Sequence, residues 1–511
     1  MSTTKLKIIN KFYGGIVRDD KSKIPGSASN IEEVDIFSNQ DYIQAEQIMS
    51  SDSIPASTRV YDYTVDGSDN MYAYGIETSL NKVRILSLSN GGGDSPSTFS
   101  TLFTSADSTN VGYTVSPCQW HLTSESSGGY IYYCTVNGST ITLKRYGITG
   151  ASESTVGTLS GLSGSYDRIT MKVIFGELFI TNGKYIAKVD KDGVFSATAF
   201  TLPSDWIAVD MIAVSDVSII LCRNINRLAN FSRGYWWDLS SAATFDDQFD
   251  IPHGGPQWII NHKEDIKLLC AINGRGRIYK MSGAYPGASP IELPGLALNN
   301  VSTETSTQHP SNSKMVGKKD NILYFSLWKT DKSGIYALGK VDSDKSDALI
   351  LSKRFFTTSY STHVPLSLKI HGPNFYNSYI DNGTYTCTRC MSNNSPSRSS
   401  NAVYESIWLD DGNPMTDKGY EKIFIGSYPL SASTSISVGV ATNYNSSYTT
   451  ITRADGTSMN TVGDILGVFN SNLFSTKVVK IKISFTSNGS NSPKVCFIGY
   501  SVSIPSDSTF K

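Results

Sequence analysis

The sequence is short of charged residues and of the residues that favour helices. Only 17% of its 511 residues are Asp, Glu, Lys or Arg, against roughly 25% in a typical soluble domain. The 44 basic and 45 acidic side chains leave a formal net charge of -1, which argues against a nucleic-acid groove or an anionic-membrane surface as the main function. Polarity comes instead from Ser, Thr, Asn, Gly and 28 Tyr, a composition that favours strands and turns. The composition therefore predicts an all-β protein.

The sequence also lacks the segments that carry a chain across a membrane. Its first ten residues, MSTTKLKIIN, do not contain the apolar core of a signal peptide. No apolar run approaches the roughly 18 residues that a membrane-spanning helix needs. We therefore expect a protein that is made in a cytoplasm and is not exported by that route.

The motifs of the common catalytic and metal sites are missing as well. No GxSxG, phosphate-loop or HExxH motif occurs, and the six His are isolated. Cys387-Thr-Arg-Cys390 is a CxxC motif without a second pair, and residues three apart on a strand face opposite sides. We expect the seven scattered cysteines to be buried free thiols. The sequence predicts no enzymatic activity, no metal and no cofactor.

A series of β-hairpins fills the middle of the chain. The stretch 167–202 shows the pattern best, because apolar segments flank Asn182-Gly183, the strongest signal for a two-residue hairpin turn. Turns near Asn137, Asn182, Asn224 and Asn273 are 45, 42 and 49 residues apart. The seven predicted hairpins pair Met71–Glu77 with Lys82–Ser89, Tyr130–Val136 with Thr140–Tyr146, Glu177–Thr181 with Lys184–Asp190, Val217–Arg223 with Arg227–Arg233, Asp265–Ile272 with Arg277–Gly283, Asn321–Lys329 with Gly334–Val341, and Asn374–Ile380 with Thr384–Cys390.

This spacing predicts a β-propeller. Strand-rich units that recur every 40 to 50 residues or so are typical of propeller blades, and each hairpin is expected to form the middle two strands of one blade. About seven blades are expected, with six or eight if one hairpin is misassigned or if the chain ends add a blade. Consecutive β-sandwiches and a β-helix are the alternative folds.

The two ends of the chain differ from the middle. Residues 1–58 are apolar without a period and are predicted to form an extended N-terminal arm or clasp, with one or two helical turns within 41–49. Residues 59–392 are assigned to the propeller. Residues 393–511 begin with a polar connection and continue with longer strands of alternating apolar and polar residues. That alternation predicts a C-terminal β-sandwich, jelly-roll-like in character.

The densest aromatic group, GYWWD at 234–238, is the main candidate for an interaction surface. If exposed, Tyr235, Trp236 and Trp237 would bind sugar rings by stacking. The alternative is that the two Trp rings pack between blades or into a subunit contact. In the arm, the segment NKFYGGIVRDD adds Phe12, Tyr13 and Arg18 as candidate interaction residues.

The order of these parts resembles the virion proteins of tailed bacteriophages. An arm with NKFYGGIVRDD, a propeller, and then SIWLDDGNPMTDKGYEKIFIGSYPLSASTSISVGVAT is similar to the nozzle and tail-hub proteins of short-tailed phages. The resemblance implies a ring of identical subunits, with a hexamer expected, in the virion tail. It implies a docking platform for adaptor and fibre proteins, and a conduit through which phage DNA passes during genome ejection without specific binding.

Two other functions remain open. The chain would be a receptor- or glycan-binding propeller of the virion if the aromatic group at 235–237 contacted the host surface. It would be a polysaccharide depolymerase if some of its carboxylates formed a glycosidase pair.

Overall fold

The computed structural model of the chain is all-β, which confirms the predicted fold class. It describes residues 3–12, 16, 28–39, 41–93, 97–109, 117–138, 140–159, 168–226, 229–240, 245–262, 265–283, 287–293, 298–303, 309–340, 347–354, 363–390, 397–412 and 414–504. Within these ranges the chain forms 39 β-strands, a 3₁₀ helix at Ser313–Met315 and no α-helix.

The N-terminal segment consists of short extended pieces. Its strands are β1 (Thr3–Ile9), β2 (Ala28–Glu32), β3 (Val34–Asp35), β4 (Gln44–Ala45) and β5 (Ser50–Ser51). Strands β3 and β4 pair with each other, and the other three join sheets formed by later parts of the chain. The prediction of helical turns within 41–49 is therefore wrong. The main chain of this segment is hydrogen-bonded to distant parts of the chain, such as Val495 and Ser397, and not to its own next turn.

Five four-stranded antiparallel sheets follow, each with its strands paired in chain order. Sheet 1 contains β6 (Thr58–Val65), β7 (Met71–Glu77), β8 (Lys82–Leu88) and β9 (Ser100–Ser108). Sheet 2 contains β10 (Cys118–His121), β11 (Tyr130–Asn137), β12 (Thr140–Gly147) and β13 (Ser152–Leu159). Sheet 3 contains β14 (Met171–Ile174), β15 (Glu177–Asn182), β16 (Tyr185–Val189) and β17 (Phe195–Thr201). Sheet 4 contains β18 (Trp206–Val214), β19 (Val217–Asn224), β20 (Ser232–Trp237) and β21 (Asp247–Ile251). Sheet 5 contains β22 (Pro256–His262), β23 (Asp265–Ile272), β24 (Arg275–Ser282) and β25 (Ser289–Glu292).

Two further groups continue the series. Sheet 6 contains β26 (Val316–Lys319), β27 (Ile322–Leu327), β28 (Gly334–Gly339) and β29 (Ala348–Arg354). Sheet 7 contains β30 (His363–His371), β31 (Asn374–Asp381) and β32 (Thr384–Cys390), and its fourth strand is β5. In β5, Ser50 and Ser51 pair with Arg389 and Thr388. The N-terminal segment thus completes the last sheet of the series.

The predicted hairpins coincide with the second and third strands of these sheets. The largest difference lies in sheet 4, where the third strand is Ser232–Trp237 instead of 227–233. Four-stranded sheets of this kind are typical of a β-propeller.

The first strands of successive sheets lie beside one another, and β30 lies beside β6, so the series closes on itself. Buried apolar clusters fill the spaces between neighbouring sheets. One cluster joins Phe179 of sheet 3 to Trp237 of sheet 4, and another joins Tyr376 of sheet 7 to Val60 of sheet 1. Each sheet buries both of its faces because it has a neighbour on either side.

The C-terminal strands are longer and belong to two sheets. They are β33 (Ala402–Ser406), β34 (Lys418–Ser427), β35 (Ser435–Thr442), β36 (Thr449–Ile451), β37 (Leu466–Thr476), β38 (Val479–Thr486) and β39 (Val495–Ile504). One sheet has the order β1-β39-β34-β37. The other continues sheet 6 into a nine-stranded sheet of order β26-β27-β28-β29-β2-β33-β38-β35-β36.

Strand β2 is the joint within the nine-stranded sheet. It runs parallel to β29, with Glu32 opposite Leu351, and antiparallel to β33, with Ile31 opposite Tyr404. The Glu33 N–H donates to the Leu351 carbonyl at 2.8 Å and reinforces the joint. One apolar cluster contains Tyr324 of sheet 6, Phe375 of sheet 7 and Ile423 and Ile483 of the C-terminal strands. The C-terminal strands therefore share a core with sheets 6 and 7.

Asp52, directly after β5, holds a buried carboxylate at the closure between sheets 7 and 1. The side chain is 1% exposed, and Arg389 Nε lies 3.4 Å from Oδ1. Tyr63, Tyr376 and the Cys387 thiol are the other titratable groups around it. Burial raises the pKa of Asp52 to about 6, and the charge of Arg389 offsets this only in part.

The raised pKa gives a prediction with a definite sign. Between about pH 4 and pH 6 the folded chain holds a proton on Asp52 that the unfolded chain has lost, so stability falls as the pH rises through this window. We expect Asp52→Asn to stabilise the protein at pH 7.5, by up to about 3 kcal/mol, and the gain to shrink below pH 6. Urea unfolding at pH 7.5 and pH 5 measures both values.

Asp216→Asn is the matched control, because Asp216 lies exposed in the turn between β18 and β19. It is expected to change stability little at either pH. An Asp52→Asn variant less stable than the wild type at pH 7.5 would contradict the prediction.

Candidate functional site at the ring axis

The aromatic group predicted as an interaction surface is buried. Tyr235 and Trp236 are 0% exposed and Trp237 is 1% exposed. Trp236 packs in the cluster between sheets 4 and 5, and Tyr235 and Trp237 pack in the cluster between sheets 3 and 4. The exposed arrangement is therefore excluded, and the alternative, in which the two Trp rings pack between sheets, is confirmed. The physical reason is that these residues form a central strand, whose alternate side chains face the two neighbouring sheets.

The candidate residues of the arm are not exposed either where the structure describes them. Phe12 is 4% exposed and meets the edge of the Tyr404 ring, with 5.4 Å between ring centroids. The prediction that Phe12 is an interaction residue is therefore wrong. Phe12 belongs to the core, because an apolar ring gains most from burial. Tyr13 and Arg18 lie outside the described residues.

The inner strands instead bring polar groups together at the ring axis, a feature that sequence reasoning missed. In β6 and β18 the register shifts by one residue just before an aspartate, Asp62 in one and Asp210 in the other. Asp62 accepts a hydrogen bond from the Cys118 N–H at 2.9 Å, and Asp210 accepts one from the Ile259 N–H at 3.0 Å. Both donors belong to the first strand of the next sheet. The same bulge and carboxylate thus join neighbouring sheets at two points of the ring.

Lysines accompany both aspartates. Lys172 of β14 forms an ion pair with Asp210, with 2.7 Å between Nζ and Oδ1. Around Asp62, burial lowers the pKa of Lys314 and of Lys369, and the charge of Asp62 opposes that shift. Burial raises the pKa of Asp62 in turn, and Lys314 opposes the rise. These partly buried charges stabilise one another at the axis.

The segment His309–Met315, which we call the axial plug, lies across this end of the axis. It contains the 3₁₀ helix and precedes sheet 6. Its side chains and carbonyls bond to five sheets. Lys314 Nζ donates to the Tyr61 carbonyl of sheet 1 at 3.3 Å, and the Lys314 carbonyl accepts from Ser367 Oγ of sheet 7 at 3.2 Å. Ser313 Oγ lies 2.8 Å from Thr170 Oγ1, beside sheet 3. Ser311 Oγ accepts from Trp258 Nε1 of sheet 5 at 3.2 Å and donates to the Ser326 carbonyl of sheet 6 at 2.8 Å.

Arg168, which precedes sheet 3, is hydrogen-bonded to the axial plug and to sheet 5. The residue is 3% exposed, and its guanidinium donates to the carbonyls of Pro256 at 2.7 Å, Gln257 at 3.3 Å and Ser311 at 3.1 Å. Buried polar networks of this kind specify one arrangement when their members are satisfied. These hydrogen bonds therefore hold the axial plug against the inner strands of the sheets.

Groups suited to metal or redox chemistry are not assembled in the described part of the chain. No cluster of three or more His, Cys, Asp or Glu is placed to hold a metal ion within these residues. All seven cysteines are free and six are buried, including Cys387 and Cys390 of the CxxC motif, as predicted. Among the same residues no helix has the length and apolarity to span a bilayer.

A second candidate is a polar cleft of about 560 Å³ on the nine-stranded sheet, beside the joint β2. Two ion pairs line it: Lys332 pairs with Glu32, and Lys482 Nζ lies 3.6 Å from Glu405 Oε1. Asn30 Nδ2 donates to Glu32 at 2.7 Å. The cleft draws on four distant parts of the chain, so no local motif could have revealed it.

Comparison with known proteins adds no family. No family model and no curated protein matches the chain. Raptor from Chaetomium thermophilum is similar over 68% of this chain and 30% of its own, at 8% identity and a TM-score of 0.43. The β-propeller domain of the Trilobed protease from Pyrococcus furiosus is similar over 63% of this chain and 91% of its own, at 11% identity and a TM-score of 0.36. The Dos1 propeller is similar over 76% of this chain and 96% of its own, at 8% identity and a TM-score of 0.40. This chain spans about 30% of the length of the Raptor chain, and likenesses this distant carry no functional argument.

Asp210→Ala tests the role of the axial charges. We expect the variant to lose about 3 kcal/mol of stability, because the N–H of Ile259 and the ammonium of Lys172 lose a buried carboxylate. Asp216→Ala, an exposed carboxylate six residues away, is the control and is expected to unfold like the wild type. Urea midpoints compare the two, and equal midpoints for both variants would show that the axial carboxylate is dispensable.

Proposed function

We propose that the chain is a structural, non-enzymatic subunit of a bacteriophage tail. In this proposal it is a nozzle- or hub-like ring component that surrounds the path of the ejected DNA and docks other tail proteins. The finer fold that goes with it is a seven-bladed β-propeller joined to a C-terminal β-sandwich.

Seven blades are supported by the closed series of sheets 1 to 7, in which β30 lies beside β6 and an apolar cluster joins sheet 7 to sheet 1. The sandwich is supported by the burial pattern of the C-terminal strands. Ile423 and Ile425 of β34 and Ile481 and Ile483 of β38 face one shared core, while Phe424 and Lys482 between them are only partly buried. Alternation of this kind is typical of two packed sheets.

The observation that carries the proposed function is the seam between sheets 6 and 7 and the C-terminal strands. A nine-stranded sheet and an unbroken apolar core cross this seam. Domains joined by a linker move relative to one another, whereas a shared sheet and core hold two parts in one orientation. A subunit of fixed shape suits a ring that must keep the same geometry at every contact.

The axial plug bears on where DNA would pass. The axial plug bonds to the inner strands of several sheets, and Arg168 joins Ser311 of the plug to Pro256 of sheet 5. The conduit of this proposal is therefore the space enclosed by several subunits. The near-neutral formal charge of -1 suits a wall along which DNA slides, because tight binding would need many basic contacts to phosphates.

The test is the oligomeric state of the purified protein together with its presence in virions. We expect mass photometry and electron microscopy to show closed rings, with six subunits the expected number, and labelled antibodies to mark the tail of the particle. A protein that stays monomeric at high concentration and is absent from purified virions would refute the proposal.

A glycan- or receptor-binding function is the second candidate, and the cleft beside β2 favours it. Its volume of about 560 Å³ lies within the range of about 300 to 1,000 Å³ of ligand sites. Carboxylates, amides and ammonium groups in its wall match the hydroxyl groups of a sugar. We expect Glu32→Gln to weaken any glycan binding on an array, with the exposed Glu125→Gln as control; a glycan array without any bound sugar would exclude this function.

A further inference from the structure

Strand β1 presents an open edge of basic character. Among the strands that the structure describes, it is the edge strand of its sheet and pairs with β39 alone. Residues 4–8 are exposed, and Leu6 and Ile8 show 59% and 55% of their surface. Lys5 and Lys7 point to the opposite face from these two apolar residues. An edge strand of seven residues offers a row of main-chain donors and acceptors to another strand.

Strand β21 presents an open edge of the opposite charge. It is the outer strand of sheet 4 and pairs only with β20. Asp247 and Asp250 lie on it and Asp246 directly precedes it, and all three are exposed. Among the described outer strands of sheets 1 to 5, β21 is the most acidic, because β9, β13 and β25 carry one carboxylate each and β17 carries none. Arg233 holds Asp250 at 2.7 Å, which leaves Asp246 and Asp247 directed to solvent.

We propose that β1 of one copy of this chain adds to sheet 4 of a second copy, along the edge of β21. This inference deepens the proposed ring assembly and rests on it. Main-chain hydrogen bonds would join the two strands, and β1, with seven residues, can cover the five residues of β21. On the face of Asp246, Lys5 and Lys7 would bring two positive charges to the acidic end of β21. On the opposite face, which carries Phe245 and Asp247, Leu6 and Ile8 would gain apolar contact with the half-exposed Phe245 ring.

The charges also select against the symmetric alternatives. Two β1 edges would bring lysines together, and two β21 edges would bring aspartates together, so each edge repels its own copy. The contact is therefore between two different patches. A contact of that kind repeats from copy to copy and closes into a ring when the rotation allows it, which is the form of assembly that the proposed function needs.

The test uses two charge-reversed variants. Lys5→Glu/Lys7→Glu makes β1 acidic, and Asp246→Lys/Asp247→Lys makes β21 basic while keeping the Arg233–Asp250 pair. Each variant alone is expected to weaken self-association at least about tenfold, because like charges then face each other in the contact. An equimolar mixture is expected to regain assembly, since every acidic β1 then finds a basic β21 and every basic β1 finds an acidic β21. Mass photometry and sedimentation equilibrium measure all four samples.

The controls separate this contact from folding and from general charge effects. Lys191→Glu/Lys318→Glu makes the same charge change at two exposed lysines elsewhere and is expected to assemble like the wild type. Unchanged circular dichroism and melting temperature confirm that each variant is folded. A wild-type protein that never self-associates would refute the proposed function. Rings that tolerate both reversals, or variants that are impaired but not rescued on mixing, would overturn the β1–β21 contact alone.

Discussion

A four-stranded sheet with two apolar faces must be covered on both of them, and this constraint governs the molecule. Sheet 4 shows its strength, because neighbouring residues of one strand, Trp236 and Trp237, bury indole rings against two different sheets. An open row of such sheets would leave one apolar face bare at each end. Closing the series between sheet 7 and sheet 1 removes both bare faces at once. The short strand β5 and the hydrogen bonds of the axial plug both serve that closure.

The described strands of the N-terminal segment are built into sheets formed by later parts of the chain. Strand β5 completes sheet 7, β2 joins sheet 6 to β33, and β1 lies along β39. The N-terminal segment therefore pairs with the ring of sheets through β5 and β2, and with the C-terminal strands through β2 and β1. Because the C-terminal strands share a core with sheets 6 and 7, a partner that grips them also fixes the orientation of the ring.

The hairpins of the repeating sheets could be predicted from the sequence, whereas the short strands and the axial plug that connect the sheets could not. Hairpin turns are local, and positive φ angles at Asn273 and Gly274 or at Asn382 and Gly383 leave a readable pattern of Asn and Gly. At Asn182-Gly183 only Gly183 has a positive φ, because Asn182 still pairs with Tyr185. Strands of two residues such as β5 have no pattern of their own, because the hydrogen bonds that define them come from Arg389 and Thr388, far along the chain. Whether the aromatic group at 235–237 is exposed could not be decided from the local sequence, because its burial depends on the two neighbouring sheets. The sequence of the axial plug resembles that of an ordinary polar turn, and its position is known only from its contacts with five sheets.

The pairing of β5 with β32 also sets an order of events during synthesis. Ser50 bonds to Arg389 across 339 residues, so at roughly 5 to 20 residues per second the ribosome makes the first partner about 20 to 70 s before the second. During that interval sheets 1 to 5 can form one after another, each beside its predecessor, while residues near the amino terminus wait unpaired. The segment that emerges first is thus among the last to find its place. A nascent chain halted before His363, where sheet 7 begins, would keep an exposed apolar face on sheet 1.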